Sequence, residues 1–188
     1  MNNPERILQT LDRHLRQPTR IVLFGRAALA LGYGIQGSVF GVTQDVDAIL
    51  PAIEMARIEA DRQFWEALEA ANNELEPTGL YMTHLFTDEQ VVLSTDWLQK
   101  IVPVRAAVAF GHLDLFRPSG IDLILTKMMR NDPQDVQDIR FLLAQETITP
   151  AQLTRAFSDA RVPPVPEIVQ IFQTMQPIIL SLASSHSA

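Results

Sequence analysis

An α+β fold is what the sequence predicts: a small mixed β-sheet packed by helices, followed by a C-terminal helical bundle. Three observations carry that expectation. Two short segments of strand length, the apolar 21–24 and 45–50 with its apolar end Ala48-Ile49-Leu50, flank a helix-forming segment. After Pro118 every segment has helical spacing. The 188 residues are 47% hydrophobic, with no internal repeat and no clear linker, which suffices for a packed core. The expected division is an α/β core over residues 1–118 and a helical region over 119–188 packed on it.

Residues 4–17 place Ile7, Leu8, Leu11 and Leu15 on one helical face, with Pro18 as the stop. A strand over 21–25 follows. Ala27–Tyr33 predicts a helix with Gly34 as its C-cap. Residues 36–44, with Gly37 and Gly41, predict an ordered loop with a short extended piece at Val39-Phe40, and a strand follows over 45–50. From Glu54 to Leu75 one stripe of Phe64, Leu68, Ala71 and Leu75 predicts a helix, ended by Pro77 and Gly79.

Residues 80–86 alternate as a strand, with 90–93 as a hairpin partner, and 106–110 with 113–116 predict a second hairpin. In the C-terminal part Ile121, Ile124, Leu125 and Met128 share a helical face, as do Val136, Ile139, Leu142 and Leu143. Asp132-Pro133 and Thr149-Pro150 each read as an N-cap followed by proline at the first helical position. Helices are therefore expected over 133–145, 150–160 and 166–183, with a frayed Ser-rich tail.

Composition excludes several classes of function. There is no cysteine, which removes disulfides, thiolate metal sites and cysteine nucleophiles. The net charge is −7, with lysine only at 100 and 127, so a large nucleic-acid surface is disfavoured. The N-terminal residues lack an apolar signal core, and no apolar run reaches membrane-spanning length. A bacterial-type, cytoplasmic protein without a membrane association is the expectation. No nucleophile elbow, Walker loop or Rossmann glycine signature occurs.

The chemistry-bearing pattern lies between Ile21 and Leu50. An apolar strand ends in Gly25, and Thr43-Gln44-Asp45-Val46-Asp47 opens the next. Alternation along a strand puts Asp45 and Asp47 on one face, an arrangement suited to a divalent cation. A glycine-ended strand supplies backbone N–H groups and room for a phosphate.

With the later block Lys127-Met128-Met129-Arg130-Asn131-Asp132-Pro133-Gln134-Asp135-Val136-Gln137-Asp138, the ordered set resembles the nucleotidyltransferase-like proteins related to AbiEii-type toxins, within the polymerase-beta-like nucleotidyltransferase superfamily. The resemblance spans 21–143. It implies a mixed sheet whose edge carries the active site, with a following helical segment that closes over the nucleotide; the family label brings a toxin–antitoxin setting with it, which the sequence itself does not establish, and a neighbouring-gene protein is the partner on a non-catalytic reading. It also implies Gly25 and Arg26 in the phosphate turn, Asp45 and Asp47 as Mg²⁺ (or Mn²⁺) ligands, and Lys127 and Arg130 contacting the nucleoside triphosphate. Asp135 and Asp138 would orient the two basic groups.

The sequence departs from that pattern at three places. Arg26 stands where active relatives have glycine or serine, and Gln134 where a basic residue precedes the first acid of the helical block. The strand over 80–86 contains no carboxylate, and His84 is the nearest substitute for the third acid; imidazole suits Mn²⁺ or Zn²⁺ better than Mg²⁺.

Plainer readings stand beside these. Asp45 and Asp47 also fit a loop cap or arginine pairing, and Asp135 fits a first-turn acid favoured by the helix dipole. Asp138 fits an ion pair with Arg130 or Arg140, Lys127 a solvated face, and His84 a hydrogen-bonded core position. Two functions are consistent with the sequence: a metal-dependent transferase that moves a nucleoside monophosphate to a protein, tRNA or small-molecule acceptor, or a non-catalytic nucleotide-sensing or protein-binding module.

Overall fold

The computed structural model describes residues 1–34, 39–130 and 132–186. It has the mixed α+β architecture expected, with eight α-helices and seven strands among the described residues. The chain divides into two compact units, Met1–Thr87 with Ile101–Arg117, and Asp88–Lys100 with Pro118–Ala188.

In the first unit α1 (Asn3–His14) starts at a capping box in which Asn2 and Glu5 exchange side-chain and backbone bonds. Strand β1 (Thr19–Phe24) runs directly into α2 (Gly25–Gly32). A 3-10 turn at Val39–Val42 leads to β2 (Asp47–Leu50). The extended piece expected at Val39-Phe40 is thus a helical turn, and 35–38 of that loop lie outside the described residues.

The single helix expected over 54–75 is two, α3 (Met55–Ala60) and α4 (Arg62–Leu75). Asp61 makes the break: its carboxylate caps α4 by accepting from the Phe64 N–H. The stripe Phe64, Leu68, Ala71, Leu75 is buried as expected, and α4 packs on α1, whose Ile7, Leu8 and Leu11 are also buried.

The sheet completes with β3 (Leu85–Thr87), β5 (Val102–Pro103) and β6 (Leu113–Arg117) in the order β3-β2-β1-β6-β5. β1 is antiparallel to β2 and parallel to β6, while β3 is parallel to β2. Both expected hairpins are absent. β4 (Leu93–Ser94) pairs antiparallel with β7 (Ala160–Arg161), not with the 80–86 segment, and β6 pairs with β5 while 106–110 is irregular. Asp12 anchors the approach to β6, accepting from the N–H groups of Gly111, His112 and Leu113.

The second unit holds α5 (Gly120–Lys127), α6 (Pro133–Glu146), α7 (Pro150–Asp159) and α8 (Pro166–His186). Asp132 and Thr149 cap α6 and α7 as the Asp-Pro and Thr-Pro pairs predict. Asp88 ties the 88–100 segment to β7, accepting from the Trp97 indole at 3.0 Å and from Arg161 at 2.8 Å. The tail expected to fray beyond 183 is helix to His186, and 187–188 lie outside the described residues. Among the described residues no helix is long and apolar enough to cross a membrane.

Candidate metal and nucleotide site

The site is built where β1 ends. Gly25 adopts φ +59°, a left-handed conformation that a side chain disfavours. A Cβ there would lie 2.9 Å from Asp47 Oδ2, so the missing side chain is also what lets that carboxylate sit over the turn. Asp47 is paired across the sheet with Phe24, one residue before the glycine. The strand-to-helix corner and the acidic pair, far apart in sequence, are therefore neighbours.

Asp45, Asp47 and His84 each present one ligand atom, and these atoms all lie within 4.8 Å of one another. Both acids are half-buried, and His84 is exposed. The Thr43 hydroxyl donates to Asp45 Oδ1 at 2.6 Å, and His84 Nδ1 lies 3.1 Å from Asp47 Oδ1. The His84 ring stacks on Phe86, whose edge meets Phe24. The expectation of a core histidine is corrected: His84 is hydrogen-bonded, but on the surface.

The backbone explains how His84 reaches this face. Asp45 bridges to Tyr81, with Tyr81 N–H donating to Gln44 O and Val46 N–H to Tyr81 O. Four residues on, Ala48 matches Leu85, so one extra residue is accommodated between 81 and 85. Tyr81 and His84 are three apart and would face opposite sides of a regular strand; that slip re-aims one of them. Asn72 of α4 holds the irregular stretch, bonding the Met82 N–H at 2.8 Å and its carbonyl at 2.9 Å in place of a strand neighbour. Asn72 and Tyr81 were not legible as site residues, because their role depends on partners distant in sequence.

The donor set fits a divalent cation. Ligands on an ion with bonds of about 2.1 Å are about 3–4 Å apart, so a small side-chain rotation closes this group. Two carboxylates with one imidazole suit Mn²⁺ or Zn²⁺ better than Mg²⁺. Arg26, on the first turn of α2, is half-buried, with its guanidinium 5.3 Å from the centre of the Phe40 ring.

Lys127, Arg130, Asp135 and Asp138 come together in the second unit. The Lys127 side chain is 2% exposed, and its ammonium lies 2.6 Å from Asp138 and 3.2 Å from Asp135. The solvated face read from sequence is thus a buried ion cluster, in which Asp138 pairs with Lys127. Arg130, 66% exposed, reaches in to place Nε 2.7 Å and Nη2 3.0 Å from the Asp135 carboxylate. Burial pushes the Asp135 carboxyl upward, but the Arg130 bonds and the Lys127 charge outweigh it and hold the group below its ordinary value.

No curated protein and no solved structure matches the chain significantly. The model of the family described as "Nucleotidyltransferase of unknown function (DUF6036)" matches residues 5–161, and the chain belongs to that family.

Proposed function

We propose that the first unit carries out metal-dependent nucleotidyl transfer, moving a nucleoside monophosphate from a nucleoside triphosphate to an acceptor hydroxyl. The observation that carries this reading is the convergence of Asp45, Asp47 and His84 within 4.8 Å, beside a glycine corner whose geometry requires no side chain. Asp45, Asp47 and His84 would hold Mg²⁺ or Mn²⁺. When bound, the ion polarises phosphoryl oxygens and offsets the charge developing during transfer.

The chain's own residues orient the substrate. The first N–H groups of α2 point from the Gly25 corner, where Phe24 gives no side-chain cap, and suit a triphosphate. Arg26 adds a cation beside them. In the reaction the acceptor hydroxyl gives its proton to solvent as its oxygen bonds the α-phosphorus, the α–β bridging P–O bond breaks, and pyrophosphate leaves. The AbiEii relationship is proposed on the ordered sequence blocks alone.

A second reading, a nucleotide-sensing or protein-binding module, is favoured by His84 in place of a third acid and by Arg26 packed on Phe40 in the phosphate turn. Calorimetric titration with Mn²⁺, Mg²⁺ and nucleoside triphosphates tests binding in wild type and Asp45→Asn. The proposal expects metal-dependent nucleotide binding that the variant loses, and equal binding by both proteins refutes it. Pyrophosphate release with candidate acceptors then separates transferase from sensor.

A further inference from the structure

The metal face carries one large side chain without an assigned role, Tyr81. Its backbone is fixed beside Asp45 by two hydrogen bonds, and residues matched across a parallel bridge project to the same side of the sheet, about 5 Å apart. Tyr81 therefore stands next to a proposed metal ligand. The residue is 37% exposed, and among the described residues its ring makes no aromatic contact and its phenol no hydrogen bond.

An aromatic side chain that leaves over a third of its surface in water keeps apolar area that a ligand could still bury. Its neighbours underline the point: Met82 is buried, and His84 stacks on Phe86. The Tyr81 backbone is also more constrained than that of a loop residue, since Asn72 holds the adjacent Met82 on both its N–H and its carbonyl. A part-exposed aromatic ring on a braced backbone, beside a proposed cation and phosphate site, is suited to a planar heterocycle.

We infer that Tyr81 is the stacking platform for the nucleobase of the substrate triphosphate. This rests on the nucleotidyl-transfer reading of the same site and adds where the base binds. Stacking on an open ring is tolerant of base identity, since every base offers a π-face. The site therefore accepts purine and pyrimidine triphosphates, the larger purine surfaces binding more tightly.

The test measures, by calorimetry in the presence of Mn²⁺, the affinities of ATP, GTP, CTP, UTP and inorganic triphosphate for wild type, Tyr81→Phe and Tyr81→Ala. Tyr81→Ala is expected to weaken all four nucleotides about fivefold or more while leaving inorganic triphosphate unchanged. Tyr81→Phe keeps near wild-type affinity, because the ring and not the hydroxyl binds. Mn²⁺ binding followed by spin resonance stays unchanged in both variants and shows that the site is intact.

Equal losses for nucleotides and inorganic triphosphate overturn the inference, since the phenol would then serve the phosphates or the metal. Unchanged nucleotide affinity with a slower transfer step also overturns it, because the ring would then hold the acceptor. A wild-type protein that binds inorganic triphosphate and nucleotides equally well sinks the platform alone. One that binds no triphosphate at all refutes the transferase reading together with it.

Discussion

Replacing Lys127 by methionine removes the cation from a cluster in which Asp135 and Asp138 are almost fully buried. The substitution keeps the aliphatic length, so packing is largely preserved and the charge is what is lost. Two bonds from an ammonium to carboxylates disappear, at 2.6 and 3.2 Å. Hydrogen bonds to charged groups contribute about 1.5–3 kcal/mol each. The pair implies a loss of about 4 kcal/mol, within the 3–5 kcal/mol expected when one partner of a buried ion pair is removed.

The pH dependence follows from the direction of the Asp135 shift. A carboxyl held low in the folded state stabilises above its unfolded value, and that contribution is lost as pH falls through the folded value. Without Lys127 a main cause of the lowering is gone. The Lys127→Met penalty is then largest near neutrality and shrinks as the pH falls through the carboxylate range. Urea unfolding of both proteins at pH 7 and at about pH 3, below the ordinary aspartate value, measures this. A penalty below about 1 kcal/mol at pH 7, or one that grows as the pH is lowered, refutes the reasoning. Lys127→Met with Asp138→Leu recovers part of the loss, because an apolar replacement of a buried pair is tolerated far better than half of one.

Gly25→Ala forces a β-carbon into a left-handed turn and against Asp47 Oδ2, so it costs about 1–2 kcal/mol in thermal or urea unfolding and weakens Mn²⁺ affinity. A variant as stable and as metal-competent as wild type contradicts the account of that corner. Asn72→Ala frees both polar groups of Met82 and costs about 2 kcal/mol, with a loss of Mn²⁺ affinity because His84 is no longer held on the metal face. Hydrogen exchange across 81–85 checks it: exchange as slow as in wild type rules out the bracing role.

The strand-to-glycine corner was legible because a short apolar run, one glycine and a helix-forming stretch are local signals. So were the caps at Asp132 and Thr149, where the side chain that starts the helix is adjacent to it in sequence. The Asp45 and Asp47 spacing also gave the shared face correctly, since strand periodicity needs no knowledge of a partner. Pairing was another matter. Nothing local in Leu93-Ser94 indicates that its neighbour is Ala160-Arg161, and alternation over 80–86 could not reveal the extra residue that lets Tyr81 and His84 serve one face.

Burial of charge was equally opaque. Lys127 looks like any polar residue closing an apolar helix, and only the approach of α6 encloses it with two acids. Likewise Asp61 lies inside an apparently continuous helical pattern, and its capping bond to Phe64 is what divides the segment.

The central claim is that Asp45, Asp47 and His84 form one ligand set. Pulsed spin resonance of Mn²⁺ bound to wild type and to His84→Gln tests it directly, because a coordinated imidazole couples its nitrogen to the electron spin. The account predicts one bound ion with a nitrogen coupling that disappears in His84→Gln, and loss of the ion in Asp47→Asn. A bound ion without nitrogen coupling, or one indifferent to both substitutions, contradicts it.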